Sequence, residues 1–113
     1  MDEGMKYVGP GKSLLGYGEA VYEYITTNNC SIIKNLTGHG VGVHVHEGPA
    51  IYNWPNVAAQ QYSFEPNMVV ALEPITAIRS NRYVEQKGVE RNLYTEHNDL
   101  GAQREYTVLI TQD

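Results

Sequence analysis

Apolar residues recur at helical spacing at Leu14, Tyr17, Val21, Tyr24 and Ile25. Ser13 stands one position ahead of that series, where a side-chain oxygen caps a helix N-terminus. The pattern predicts a helix from Leu14 to about Thr27, ended by Asn28-Asn29. Gly16 and Gly18 lie inside it and each costs roughly 1 kcal/mol relative to Ala. Upstream, Met1 to Tyr7 reads as the tail of a helix, and Gly9-Pro10-Gly11 interrupts it. Downstream the period changes to two. Ser31 to Leu36 predicts a short strand, and Val41, Val43 and Val45 alternate with Gly42, His44 and His46 as a half-buried strand would. Pro49 to Pro66 reads as a long loop. Met68 to Ile78 is the strongest strand, broken by Pro74. Arg79-Ser80-Asn81 leads into a further strand near Arg82 to Gln86, and a last strand runs from about Ala102 to Thr111. The sum is an α+β fold, one or two helices on one face of a largely antiparallel sheet, in a single domain over residues 1–113.

Composition narrows the function classes. At 113 residues and 42% hydrophobic, the chain is long and apolar enough for one packed core. Eight Lys and Arg against 13 Asp and Glu give a net charge of −5 with no basic run, which argues against nucleic acid as a partner. The longest apolar run, Met68 to Leu72, is far too short to span a bilayer, so no membrane role is expected. The opening residues do not read as a leader peptide. Cys30 is the single cysteine and cannot form an intrachain disulfide, which fits a reducing, cytoplasmic setting.

The unusual residues are imidazoles and carboxylates in β-prone surroundings. Three of the four histidines, His39, His44 and His46, fall within eight positions. His44 and His46 share a face of the expected strand, and the glycines around His39 suggest a bend that turns its side chain inward. Glu73 is a charge within the most apolar strand, pointing with Val69 and Ala71. An unpaired buried carboxylate costs several kcal/mol, so Glu73 must reach solvent, be neutralised or meet a cation. Glu105 precedes a second apolar run, with Arg104 on the opposite face. A cross-strand pair with Lys or Arg is the plain account of Glu105. The sharper one is that His39, Glu73 and Glu105 converge, a donor set that suits Mn²⁺, Fe²⁺, Co²⁺ or Zn²⁺.

At these residues the sequence resembles the methionine aminopeptidases, in particular the shorter bacterial type. The stretches that carry the resemblance are Asn35 to Gly42 (NLTGHGVG), His46 to Pro49 (HEGP), Phe64 to Pro74 (FEPNMVVALEP) and Ala102 to Leu109 (AQREYTVL), in order and at compatible spacing. The resemblance implies the carboxyl-terminal half of the pita-bread metallopeptidase fold. It also implies that His39, Glu73 and Glu105 are metal ligands, Glu73 doubling as a proton shuttle. His46 would be the catalytic histidine that hydrogen-bonds the substrate peptide. The complete enzymes hold two divalent ions and remove the N-terminal methionine from peptides and nascent chains. Two aspartate ligands expected upstream have no counterpart, since Asp2 is the only Asp before His39. The resemblance therefore implies a partial, weak metal site, a chain inactive alone, and a complementary amino-terminal half or a homodimer as partner. Arg104 and Tyr106 depart from the family's usual aromatic and histidine, and the HEGP stretch is also similar to proline-specific relatives of the same fold. A fragment of an Xaa-Pro peptidase relative and a non-catalytic binding or structural module derived from the same fold are the alternatives.

Overall fold

A computed structural model describes residues 1–89 and 92–113. One short helical turn, α1 (Asp2–Met5), precedes α2 (Leu14–Thr27), which has the predicted bounds. The Ser13 hydroxyl accepts the Gly16 N–H at 3.2 Å and caps it, and Asn28 closes the other end. Gly18 is not simply a weak point. A Cβ there would run into the backbone carbonyls of Tyr52 and Trp54, so the glycine lets the helix lie close against that segment.

The strands are β1 (Ser31–Ile32), β2 (Gly38–Gly40), β3 (Glu47–Ile51), β4 (Val69–Leu72), β5 (Ile75–Ala77), β6 (Tyr83–Glu85), β7 (Leu93–Thr95), β8 (Gly101–Gln103) and β9 (Tyr106–Leu109). A single 3₁₀ turn, Val57–Ala59, lies between β3 and β4. All pairings are antiparallel, in sheets ordered β3-β2-β4-β9 and β1-β5-β8 and a β6-β7 hairpin. The α+β expectation holds. No helix among the described residues is long and apolar enough to cross a membrane.

Several expectations for individual elements do not hold. The valine alternation at 41–46 forms no strand: Val43 and Val45 are 93% and 71% exposed, because these residues make the connection between β2 and β3. A period of two arises by chance when the residues between the valines are a glycine and histidines with no sheet to join. The long loop expected from Pro49 instead contains β3, in which the Gly48–Pro49 peptide is cis and Pro49 sits on an edge strand where no donor is required. The last strand is two strands, β8 and β9, in different sheets. The β1 strand is shorter than expected, and β7 was not expected at all.

The division of the last strand into β8 and β9 has a geometric cause. β4 and β5 pair with β9 and β8 in one constant register, from Val69 opposite Leu109 to Ala77 opposite Gly101. The ribbon breaks only at Glu73-Pro74 and Arg104-Glu105, where Pro74 supplies no N–H. Below the break it belongs to one sheet, above it to the other. Leu14, Tyr17 and Val21 of α2 pack with Ile32, Ile51, Phe64, Val70, Leu72 and Ile110 to form the core. Val70 and Leu72 thus face the helix, and the alternate residues of β4 face away.

Candidate metal centre

Sheet register decides which side chains meet. His39 is opposite Ala50 on one side and Ala71 on the other, and Ala71 is opposite Thr107. These four share a row and a face, the one turned away from the core helix. Two residues past Ala71 and two before Thr107, just beyond the ends of β4 and β9, stand Glu73 and Glu105, which strand parity assigns to that same face. The small Ala50 and Ala71 leave room around the imidazole.

The glycines flanking His39 serve differently from the sequence expectation. His39 lies in β2, inside the four-stranded sheet, and neither Gly38 nor Gly40 has a positive φ. A Cβ at Gly38 would overlap the Ala71 carbonyl, and one at Gly40 the Gly48 carbonyl. The register shifts between His39 and Gly40, so two strand partners crowd in at that point. Close approach, not turn geometry, requires glycine here.

His39 Nδ1 lies 2.9 Å from the Gly40 carbonyl oxygen, which can only accept, so Nδ1 carries a proton. Nε2 then faces Glu73 Oε1 at 3.0 Å, with both side chains mostly buried. A neutral ring and an ionised carboxylate would oppose two lone pairs in that contact. It needs a proton or a metal cation between them. Burial above all, and then the charge of Glu105, push the Glu73 carboxyl above its ordinary value, while His39 and His46 pull the other way without cancelling them. The site therefore favours positive charge at Glu73.

His46 is exposed, yet its ring centroid lies 4.4 Å from that of His39. Gln103 was missed by sequence reasoning. Its Nε2 donates to Glu73 Oε2 at 3.2 Å, so both carboxylate oxygens of Glu73 are engaged. Strand parity was the available signal, since Gln103 stands two residues before Glu105. His44 is exposed on the connection between β2 and β3, and His97 lies 3.8 Å from Glu96 after β7. Neither makes a contact with His39 or Glu73.

The structure thus brings His39, Glu73 and His46 together and sets the charge of Glu105 against Glu73. Among the described residues, no three His, Cys, Asp or Glu side chains stand close enough to hold a metal on their own. The donor chemistry of one imidazole and two carboxylates fits a borderline divalent cation. The number of close donors falls short of a closed site.

Comparison with known proteins gives a consistent set of likenesses. The profile of metallopeptidase family M24 matches residues 1–112. The chain is 34% identical over 113 residues to the methionine aminopeptidase of Staphylococcus epidermidis, covering 99% of this chain and 44% of that protein. It is 31% identical over 112 residues to methionine aminopeptidase 1 of Bacillus subtilis, covering 97% and 44%. The crystal structure of the Thermotoga maritima methionine aminopeptidase superposes with a TM-score of 0.89 at 26% identity, over 99% of this chain and 44% of that one. That of Rickettsia prowazekii gives 0.89 at 27%, over 99% and 45%. The chain spans less than half the length of these relatives.

Proposed function

This chain belongs to metallopeptidase family M24, and from that premise we propose that it forms the carboxyl-terminal half of a methionine aminopeptidase-type catalytic unit. The observation that carries the reading is the His39–Glu73 contact at 3.0 Å, which a proton or a metal cation must bridge, with the Glu105 charge beside it. His39 Nε2 and the carboxylates of Glu73 and Glu105 would hold a divalent ion, Mn²⁺, Fe²⁺, Co²⁺ or Zn²⁺, one of two in the complete unit. Such an ion supplies Lewis acidity beside a scissile peptide carbonyl.

The remaining work falls to the chain's own side chains. Glu73, whose carboxyl burial pushes above its ordinary value, would shuttle a proton toward the leaving amine. Gln103 keeps the Glu73 carboxylate turned toward His39. His46, exposed beside His39, hydrogen-bonds and orients the peptide. The substrate is a peptide or nascent chain with N-terminal methionine, the setting is cytoplasmic, and the partner is a complementary amino-terminal half or a second copy.

Calorimetric titration of the 113-residue chain with Mn²⁺ tests this. Weak binding is expected, reduced at least about tenfold in Glu73→Gln, since a carboxylate ligand is lost. Hydrolysis of a Met-Ala peptide should be negligible for the chain alone and appear when the amino-terminal half of a relative is added. Metal affinity unchanged by Glu73→Gln would favour a non-catalytic module instead. A preference for Xaa-Pro peptides in the reconstituted unit would favour the proline-specific relatives.

A further inference from the structure

The segment from Val41 to His46 connects β2 to β3 and carries His46 to its place beside His39. Hydrophobic contact does not hold it, because Val43 and Val45 are 93% and 71% exposed. Sheet pairing holds only its start, where the Val41 N–H donates to the Val69 carbonyl at 2.8 Å. Within the loop, the Gly42 N–H donates to the His44 carbonyl at 3.0 Å. The remaining tie is a side chain. Glu47 Oε1 accepts the His44 N–H at 2.9 Å, and the same carboxylate lies against Gly42, where a Cβ would overlap it.

Glu47 is well placed for this. It is the first residue of β3 and pairs with Gly40, so its backbone is fixed by the sheet while its side chain reaches back under the loop. A carboxylate accepting a backbone N–H makes a charge-assisted hydrogen bond, roughly twice as strong as a neutral one. Gly42 leaves the space that the carboxylate occupies. His46 immediately precedes Glu47, so the loop that the carboxylate closes ends at His46, whose ring centroid lies 4.4 Å from that of His39.

We propose that Glu47 is a positioning residue: its carboxylate clamps the loop between β2 and β3 and thereby holds the His46 ring against His39. The value of that placement to a substrate rests on the function proposed above; the clamp itself does not.

Nuclear magnetic resonance on the 113-residue chain tests the clamp without metal or substrate. In the wild type, the His44 amide should exchange slowly and the His39 and His46 ring protons should show a nuclear Overhauser effect. In Glu47→Ala the His44 amide should exchange at least about tenfold faster, as expected for losing a hydrogen bond to a charged group. The His39–His46 effect should vanish, while the amides of Arg79 and Ser80, tied elsewhere by Asp99, keep their wild-type exchange. Glu47→Gln, whose amide oxygen still accepts, should restore most of both signals. Gly42→Ala should reproduce the loss by pushing the carboxylate aside. An intact ring–ring effect in folded Glu47→Ala would overturn the proposal. So would an unprotected His44 amide in the wild type, a reading that needs no variant to fold. Failure of Mn²⁺ binding would leave these readings untouched, so the two ideas fail separately.

Discussion

At the level of single residues, two polar arrangements set measurable energies. Tyr17 and Asn53 are both buried, and the Tyr17 hydroxyl donates to Asn53 Oδ1 at 3.3 Å. Burial pushes the Tyr17 phenol far above its ordinary range, so it is a neutral donor at every working pH. Tyr17→Phe leaves the Asn53 oxygen buried without that donor and should cost about 1–3 kcal/mol by urea unfolding. Asp99 ties the corner after β5 to the turn after β7. Its carboxylate accepts the Ser80 hydroxyl, the Arg79 N–H at 2.7 Å and the Ser80 N–H at 3.0 Å. The Ser80 hydroxyl above all outweighs the opposing effect of burial and, with the backbone amides of Arg79 and Ser80, holds the Asp99 carboxyl well below the usual carboxylate range. A depressed folded-state value means the stabilisation is complete above the ordinary pKa of 3.8 and is lost as pH falls from there through the depressed value. Asp99→Asn should therefore melt at a lower temperature than wild type near neutral pH. The gap should narrow as the pH falls below about 4, as followed by circular dichroism.

Elements show what the sequence makes legible and what it hides. The helix Leu14–Thr27 is read to its ends because spacing, a serine cap and paired asparagines all agree. The facing of Glu73 with Ala71 is likewise a matter of parity, and its carboxylate meets His39, the strand partner of Ala71. The strand expected at 41–46 misleads because alternation says nothing about whether a partner strand exists to pair with it. The role of Gly38 and Gly40 is hidden for the same reason: their neighbours, the Ala71 and Gly48 carbonyls, come from other strands that only the folded sheet brings against them. Gly38→Ala should force β2 from β4 and cost about 1–3 kcal/mol in thermal unfolding, as overpacked sites do. On the function proposed above, the same substitution should also weaken Mn²⁺ binding, since His39 rides on β2.

For the whole molecule, the four-stranded sheet ends in β3 on one side and β9 on the other, and among the described residues neither outer edge is paired. On β9, Leu109 is exposed. An open edge with an apolar side chain invites a further strand. Sedimentation at rising micromolar concentration should show self-association, and Leu109→Lys should suppress it by placing a charge at the edge. Family membership, the open edges and a donor set short of closure all belong to a unit whose span is less than half that of its relatives.

The unbroken register of the ribbon from Val69–Ala77 to Gly101–Leu109 carries one more consequence. Inserting or deleting a single residue in either arm would turn Glu73 or Glu105 to the reverse side and mispair both sheets at once. Coding changes that alter length by one codon are thus barred from these stretches. The chain cannot lose the alignment of its acids by slippage without also losing its architecture.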